Sequence, residues 1–232
     1  MEKSKAFKPK IISNTNMLPG DLKGSPDESF YSSDTLVFID EAFLSKLSKH
    51  LGNGNYLKFD RAIFSENISK KQKLNCNQIF LYIAPPFQSS NPSSIEESKK
   101  DGHDRFVNKL KQKKIIIREG RCQRLKLEGK YEYKQKAVDV LLTMDLTSVP
   151  IKFPNIKRII LISSDSDFVP VIKNLEENGV QTVLYTYYEK KRDTPFSRSN
   201  ELIKSVYKYA LLTREDFINA PLSRNNKEKK SW

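Results

Sequence analysis

Short apolar runs separated by segments with helical spacing constrain the fold of this chain more than any other feature. Four runs have the length and composition of strands buried on both faces: TLVFID (35–40), QIFLYIA (78–84), RIILISS (158–164) and QTVLYTYY (181–188). Strands that alternate with helices form mainly parallel sheets with helices on both faces. The sequence therefore predicts an α/β fold with three layers and a mainly parallel central sheet.

The segments between these runs supply the predicted helices and the domain boundaries. Helices are predicted over 41–51, 60–71, 104–114, 134–149, 167–179 and 199–212, with residues 115–127 as an edge strand. Residues 1–33 are rich in Ser, Pro, Asn, Gly and Lys without a clear period, which indicates a flexible arm. Residues 213–232 are predicted to be a basic tail, so the expected domain covers residues 34–212.

The charge and cysteine content narrow the class of protein. A formal net charge of +13 favours a partner with dense negative charge, such as RNA or DNA, although a lysine-rich proteome gives the same charge. No apolar run approaches the roughly 18 residues of a membrane span, and the N-terminus lacks the apolar region of a secretory signal. Cys76 and Cys122 have no metal-ligand spacing, which indicates a reduced, cytoplasmic protein without zinc.

Two aspartates stand at the carboxyl ends of predicted parallel strands. Asp40 ends the first strand, and Asp165 follows the run RIILISS, with Asp167 two residues later. Functional groups gather at this edge of open parallel sheets, so an active site is expected here. Asp139 lies in the apolar stretch AVDVLLTM, where a carboxylate needs a partner or a cleft.

Carboxylates that gather at one edge need a counter-charge. Two like charges 4 Å apart repel by roughly 4 kcal/mol at an effective dielectric constant of 20. A hard divalent cation removes this cost, and oxygen ligands without His or Cys favour Mg²⁺ or Mn²⁺ over zinc. An acidic metal site on a basic protein is the combination that hydrolysis of phosphodiesters requires.

Each of these aspartates also has a simpler explanation as a structural residue. Asp165 or Asp167 can cap the helix that begins near them, and Asp40 can cap the helix that follows the first strand. Their presence together at one edge of the sheet is what favours the functional interpretation.

The helix aspartate has its own alternatives. Asp139 can form an ion pair with Lys134 or Lys136. Asp145 lies about 120° from Asp139 around the helix, so it belongs at the rim of the site or in solvent.

Three segments of the sequence together resemble the signature blocks of the NYN domain family. They are LVFIDEAFL, KQKAVDVLLTMDL and ILISSDSDFVPVIKNLEENGVQTVLY, in that order, and the resemblance covers residues 34–210. It is closest to the LabA-like branch of the PIN-like nuclease superfamily, which implies a compact α/β/α PIN-like fold and metal-dependent ribonuclease activity. It also implies that one or two Mg²⁺ or Mn²⁺ ions activate water for attack on phosphorus. The residues that match the family's metal-binding aspartates are Asp40, Asp139, Asp165 and Asp167, and Lys136 matches the lysine before the helix aspartate.

The sequence departs from the family pattern after the first strand. Glu41 stands where the family has glycine, and Phe43 stands where it has an asparagine that gives the site a polar group. Ser164 replaces another glycine. Glu41 is therefore a candidate for an extra carboxylate, and Asp145 and Ser163 are further accessory candidates. A catalytically inactive RNA-binding or scaffold module is the alternative to an active enzyme.

A dense run of Lys and Arg leads into the Asp139 helix and predicts a path for a nucleic-acid backbone. Tyr131, Tyr133 or Phe106 is expected to stack on bases. A solvated helix face and a Lys-protected edge strand explain the same run without a ligand. DNA in place of RNA and homo-oligomerisation stay open. The residues predicted to contact RNA are Lys113, Lys114, Arg118, Arg121, Arg124, Lys126 and Lys134.

Overall fold

The computed structural model describes residues 33–127, 130–190, 194 and 196–222, and the predicted N-terminal arm lies outside this part except for Ser33. The strands are β1 (Asp34–Asp40), β2 (Asn75–Ile83), β3 (Ile116–Glu119), β4 (Arg121–Leu127), β5 (Lys130–Lys136), β6 (Arg158–Ile162), β7 (Gln181–Thr186) and β8 (Lys208–Leu211). Six of them form a parallel sheet in the order β3-β2-β1-β6-β7-β8, and β4 and β5 form a separate antiparallel hairpin. The prediction of a mainly parallel central sheet is confirmed.

Helices cover both faces of this sheet. They are α1 (Glu41–Leu51), α2 (Arg61–Lys71), α3 (Ser94–Gln112), α4 (Val138–Lys152), α5 (Val169–Glu177), α6 (Asn200–Ser205) and α7 (Arg214–Ile218). A single 3-10 turn, Ser166–Phe168, precedes α5. In the part of the chain that the structure describes, no helix has the length and apolar character needed to cross a bilayer.

The alternation of side chains along β1 divides the core into two layers. Leu36 and Phe38 pack with side chains of α4 and α5, and Val37 and Ile39 pack with side chains of α1 and α2. All four side chains are at most 1% exposed, which explains why this run is apolar throughout. Asp40 has the parity of Leu36 and Phe38, so it belongs to the face covered by α4 and α5.

Helix α3 begins well before its predicted start at residue 104. Ser93 and Glu96 form a capping box at its N-terminus, each side chain accepting a backbone N–H of the other residue. The buried residues of α3 are Val107 and Leu110, both in its second half. The first half therefore lacks the apolar period on which the prediction depended.

The predicted edge strand over 115–127 is wrong in extent, because the chain leaves the sheet at Gly120. β3 pairs with β2 only as far as Glu119, opposite Ile83, since β2 ends there before Pro85–Pro86. The Gly120 N–H donates to the Ile83 carbonyl oxygen at 2.9 Å, and the chain then turns into β4. Beyond Gly120 the backbone groups of β4 pair with β5, because β2 has ended and offers no further backbone partners.

Two predicted helices in the second half of the chain also have wrong bounds. The helix expected over 134–149 begins at Val138, because residues 134–136 belong to β5. The helix expected over 199–212 ends at Ser205, and residues 208–211 form β8 instead. Aromatic side chains in this last segment favour a strand, and β7 offers it an open edge.

The domain continues past its predicted end at residue 212. Phe217 in α7 is 1% exposed and packs edge-on against Phe59, with ring centroids 4.8 Å apart. Ala220 is fully buried, and its carbonyl oxygen accepts the Asp60 N–H at 2.8 Å. Residues 213–220 are therefore part of the packed domain, and the expected basic tail beyond residue 222 lies outside the described residues.

Candidate active site

At one point on the carboxyl edge of the sheet, the connections that follow two neighbouring strands run toward opposite sides of the sheet. β1 and β6 pair in parallel, with Ile39 beside Ile162, and they continue to β2 on one side and to β7 on the other. Ligands of open α/β sheets bind in the crevice at such a switch point. Asp40 ends β1, and Asp165 lies three residues beyond the end of β6, so both aspartates stand at this crevice.

The Ser163 hydroxyl joins the two segments that hold these aspartates. It donates to Asp40 Oδ2 at 3.2 Å and accepts the Asp165 backbone N–H at 3.2 Å. Ser163 is fully buried, and its own N–H donates to the Tyr185 carbonyl oxygen at 3.2 Å. The accessory candidate Ser163 therefore fixes Asp40 relative to Asp165. Ser163 and Asp40 are 123 positions apart in the sequence, so no local pattern indicates this contact.

The predicted capping roles are also present at both aspartates. Asp40 Oδ1 accepts the Phe43 N–H at 3.1 Å at the start of α1. Asp165 Oδ1 accepts the Asp167 N–H at 2.9 Å and caps the 3-10 turn, so Asp165 rather than Asp167 is the cap. Asp167 is exposed. A carboxylate has several lone pairs on two oxygens, so a cap can still bind a ligand.

Asp139 comes to the crevice from the first turn of α4. Ala137 adopts the left-handed conformation, with a φ of 67°, and turns the chain sharply from β5 into the helix. α4 packs on the face of the sheet to which Asp40 belongs. In the described ranges, no salt bridge joins Asp139 to Lys134, whose nearest carboxylate is that of Glu132 at 3.9 Å.

The raised pKa values of Asp40 and Asp139 indicate that the carboxylates at this crevice are close enough to interact electrostatically. Burial raises the pKa of Asp40 to about 6, and the charges of Asp139 and Asp165 add to the rise. Partial burial also raises the pKa of Asp139, which is an exposed residue, and the charges of Asp165 and Asp167 contribute. We call Asp40, Asp139, Asp165 and Asp167 the aspartate cluster.

Within the described part of the chain, the aspartate cluster carries negative charge without a salt bridge to a basic side chain. No salt bridge among the described residues involves any of its members, although the chain has 41 Lys and Arg residues. Oxygen donors with unopposed negative charge suit a hard divalent cation such as Mg²⁺ or Mn²⁺. Within the described ranges, no three or more His, Cys, Asp or Glu side chains are close enough to hold a metal ion as they stand. The donor chemistry fits such an ion, and the spacing is wider than a shared ion requires.

Asp145 and Arg118 form a separate structural pair. Asp145 Oδ2 lies 2.8 Å from Arg118 Nε and accepts the hydroxyl of the fully buried Tyr82 at 2.9 Å. Burial and the neighbouring Asp145 charge raise the pKa of Tyr82, which therefore stays a donor. Asp145 and Arg118 therefore neutralise each other, and the roles expected for them, Asp145 as an accessory residue and Arg118 in RNA contact, stay predictions.

Glu41 also lies outside the aspartate cluster, which corrects the expectation of an extra carboxylate. Its Oε1 lies 2.6 Å from Arg61 Nη2 and accepts the Ser45 hydroxyl at 2.6 Å, and the residue is only 4% exposed. Phe43, which stands in the place of the family asparagine, is buried in the layer formed with α1 and α2. Neither side chain brings a polar group to the crevice.

Apart from Arg118, the residues predicted to contact RNA divide into two groups. Lys113 and Lys114 precede β3 at the amino side of the sheet, and Lys113 forms an ion pair with the buried Asp60. They lie at the edge of the sheet opposite the aspartate cluster, and their contact with RNA stays a prediction. The remaining side chains are exposed on the β4–β5 hairpin, directly before α4, together with Lys136. They are Arg121, Arg124, Lys126 and Lys134.

The comparison with known protein families agrees with this architecture. The family model of the NYN domain matches residues 34–209, which run from the start of β1 into β8. No curated protein matches the chain. The six-stranded parallel sheet with helices on both faces is the PIN-like fold that this domain implies. The chain therefore belongs to the NYN domain family, within the PIN-like nuclease superfamily.

Proposed function

We propose that the protein is a metal-dependent ribonuclease that hydrolyses RNA phosphodiester bonds at the aspartate cluster. One observation supports this most directly. Four aspartates without a salt-bridge partner in the described part of the chain lie at the switch point of the sheet. The charges of the others contribute to the raised pKa of Asp40 and of Asp139. Stability alone does not favour this arrangement, since a well-packed core would avoid such repulsion.

The proposed metal ligands are Asp40, Asp139 and Asp165, with Asp167 at the exposed side. A bound Mg²⁺ or Mn²⁺ ion supplies the charge that activates water for attack on phosphorus. The protein's own contribution is position, since the Ser163 hydroxyl holds Asp40 relative to Asp165. The left-handed turn at Ala137 sets the direction from which Asp139 enters. Lys136 is exposed just before this turn, where a cation is placed to attract a phosphate.

The test is cleavage of a panel of single-stranded and structured RNAs with Mn²⁺ or Mg²⁺, and with a chelator as control. Asp165→Asn should abolish cleavage while preserving the fold, because asparagine still caps the 3-10 turn. Asp101→Asn is the matched control, since Asp101 is exposed in α3 and far along the chain from the cluster. If the wild-type protein with Mn²⁺ leaves every RNA intact, or if Asp165→Asn keeps the activity, the proposal is wrong.

A non-catalytic RNA-binding module on the same fold is the second candidate. Two observations favour it: Phe43 gives the crevice no polar group, and no three carboxylates of the described residues converge on one point. This candidate predicts RNA binding that weakens steeply with salt and does not respond to Asp165→Asn or to Mn²⁺. A change of RNA affinity or thermal stability on addition of Mn²⁺ that Asp165→Asn removes would exclude it.

We propose RNA rather than DNA as the substrate on the family resemblance alone. Digestion of matched RNA and DNA strands separates the two, and faster cleavage of DNA would reverse the assignment. We also propose a cytoplasmic location, because both cysteines are free thiols. Fractionation of cells that express the tagged protein tests this location.

A further inference from the structure

The β4–β5 hairpin stands at the same edge of the sheet as the aspartate cluster. It leaves the domain at Gly120, whose N–H is bonded to the last residue of β2, and returns at Ala137, two residues before Asp139. In the sheet, β3 lies two strands from β1, or about 10 Å from the end that carries Asp40. The hairpin contains seven residue pairs, so it extends about 24 Å from this base.

One face of the hairpin carries aromatic and cationic side chains in alternation. Arg124 lies opposite Tyr133, and Lys126 lies opposite Tyr131. The Arg124 guanidinium is 4.6 Å from the Tyr131 ring centroid and 4.6 Å from that of Phe87, in the segment after β2. The Phe87 and Tyr133 ring centroids are 5.8 Å apart. We call Phe87, Arg124, Lys126, Tyr131 and Tyr133 the aromatic face.

The tyrosines of this face are more open to solvent than a packing role explains. Tyr131 and Tyr133 are 55% and 56% exposed, on a two-stranded ribbon that has no core of its own. Their rings are held by Arg124 and Phe87 rather than buried by them. Phe106, the other residue expected to stack on bases, instead lies beneath the Arg61 guanidinium at 4.8 Å and lines a pocket with Tyr56.

The charge of the hairpin indicates which kind of partner the aromatic face takes. Residues 121–136 contain six Lys and Arg against two Glu. The opposite face of the hairpin is basic as well, with Arg121 opposite Lys136. An acidic protein surface would complement this charge but offers few flat rings to stack on, whereas a polynucleotide supplies both phosphates and flat bases.

We infer that the aromatic face of the β4–β5 hairpin is a binding site for unpaired bases of a single-stranded nucleic acid. Tyr131 and Tyr133 stack on two bases, the Arg124 guanidinium adds a further planar surface, and Lys126 contacts the backbone. A strand held in this way passes from the hairpin to the crevice at Asp139. The inference rests on the proposed function for its ligand class, and it adds the site outside the crevice that selects unpaired over paired strands.

Binding of a fluorescein-labelled single-stranded RNA of twelve nucleotides, measured by anisotropy in the presence of a chelator, tests this site. Loss of one stacked base weakens binding by about tenfold, so Tyr131→Ala combined with Tyr133→Ala should weaken it by about 100-fold. Tyr131→Phe combined with Tyr133→Phe should keep the wild-type affinity, because stacking does not need the hydroxyl. Binding of a blunt duplex should change little, since its bases are not accessible.

The salt dependence separates stacking from charge. The double alanine variant should keep the slope of log affinity against log salt, whereas Lys126→Gln should reduce its magnitude by about 0.7. Tyr56→Ala is the matched control, since Tyr56 is 62% exposed and lies near a lysine, outside the hairpin. The inference is overturned if the double alanine variant binds as tightly as the wild type, if Tyr56→Ala loses as much, or if the phenylalanine variant loses as much as the alanine variant.

The same variants keep this inference distinct from the proposed function. Tyrosine-dependent binding without any cleavage in Mn²⁺ would support the base-binding site and refute the ribonuclease. Metal-dependent cleavage, together with RNA binding that does not change in the Tyr131 and Tyr133 variants, would support the ribonuclease and refute the base-binding site. Because both rings are exposed, circular dichroism and Tm should show unchanged folding in every hairpin variant.

Discussion

Replacement of Asp40 by Asn should stabilise the protein above neutral pH. Burial and the charges of Asp139 and Asp165 raise the pKa of Asp40 from 3.8 to about 6, so the ionised side chain is less favourable in the folded state than in the unfolded chain. Asparagine removes the charge, and it still offers an oxygen to the Phe43 N–H. If Asp40 were only a helix cap, the substitution would be neutral or slightly destabilising.

The size and the pH dependence of this effect follow from the shift. Between about pH 4 and 6 the folded state binds more protons than the unfolded state, so the free energy of unfolding falls as the pH rises through this window. A rise from 3.8 to about 6 corresponds to about 3 kcal/mol once the pH is well above 6. The gain of Asp40→Asn is therefore about 3 kcal/mol at about pH 8 and roughly half of that at about pH 5.

Thermal and urea unfolding at these two pH values provide the assay. About 3 kcal/mol corresponds to a Tm increase of about 6–12 °C for a domain of this size. Asp34→Asn, at the other end of β1, is the matched control, because hydrogen bonds from Asn75 and Asn77 lower the pKa of Asp34. That variant should show no gain at high pH. An Asp40→Asn protein that is no more stable than the wild type at about pH 8, or equally stabilised at both pH values, would refute the reasoning.

Three further substitutions test packing around the site. Glu41→Ala leaves the Arg61 guanidinium partly buried without its partner and should cost about 3 kcal/mol in urea unfolding; a loss below about 1 kcal/mol would contradict the pairing. Phe217→Ala should lower the free energy of unfolding by about 3–5 kcal/mol in the same measurement. A much smaller loss would show that α7 is not part of the packed domain. Gly120→Ala places a Cβ too close to the Lys136 carbonyl oxygen and should lower the free energy of unfolding by about 1–3 kcal/mol. It should also speed tryptic cleavage of the hairpin. An unchanged rate of cleavage would show that the backbone around Gly120 can shift to accept the Cβ.

Much of the central sheet could be predicted because its strands are buried on both faces. β1, β6 and β7 consist of residues that are almost all buried, so their apolar runs appear directly in the sequence. β4 and β5 have no such signal, because they pair only with each other in the described residues and bury little. β8 was predicted as helix since a short segment with mixed burial fits either period.

The site was predictable to the extent that it follows from topology. The ends of β1 and β6 fix Asp40 and Asp165 at one edge once the sheet is parallel. The ion pairs of Glu41 and Asp145 could not be predicted, because their partners, Arg61 and Arg118, lie in other segments of the chain. The same holds for the Ser163 hydroxyl, whose role arises only when β1 and β6 are adjacent.

The separate pairing of β4 and β5 has a consequence for protein engineering. In the described residues these strands share no ladder with the central sheet; the chain enters and leaves the hairpin at Gly120 and Ala137, and Phe87 adds contacts to Arg124 and Tyr133. Adding or removing two residues on each strand changes the reach of the hairpin by about 7 Å and preserves which side chains face each way. The length of this hairpin can therefore be varied as an independent module while the sheet and the aspartate cluster keep their geometry.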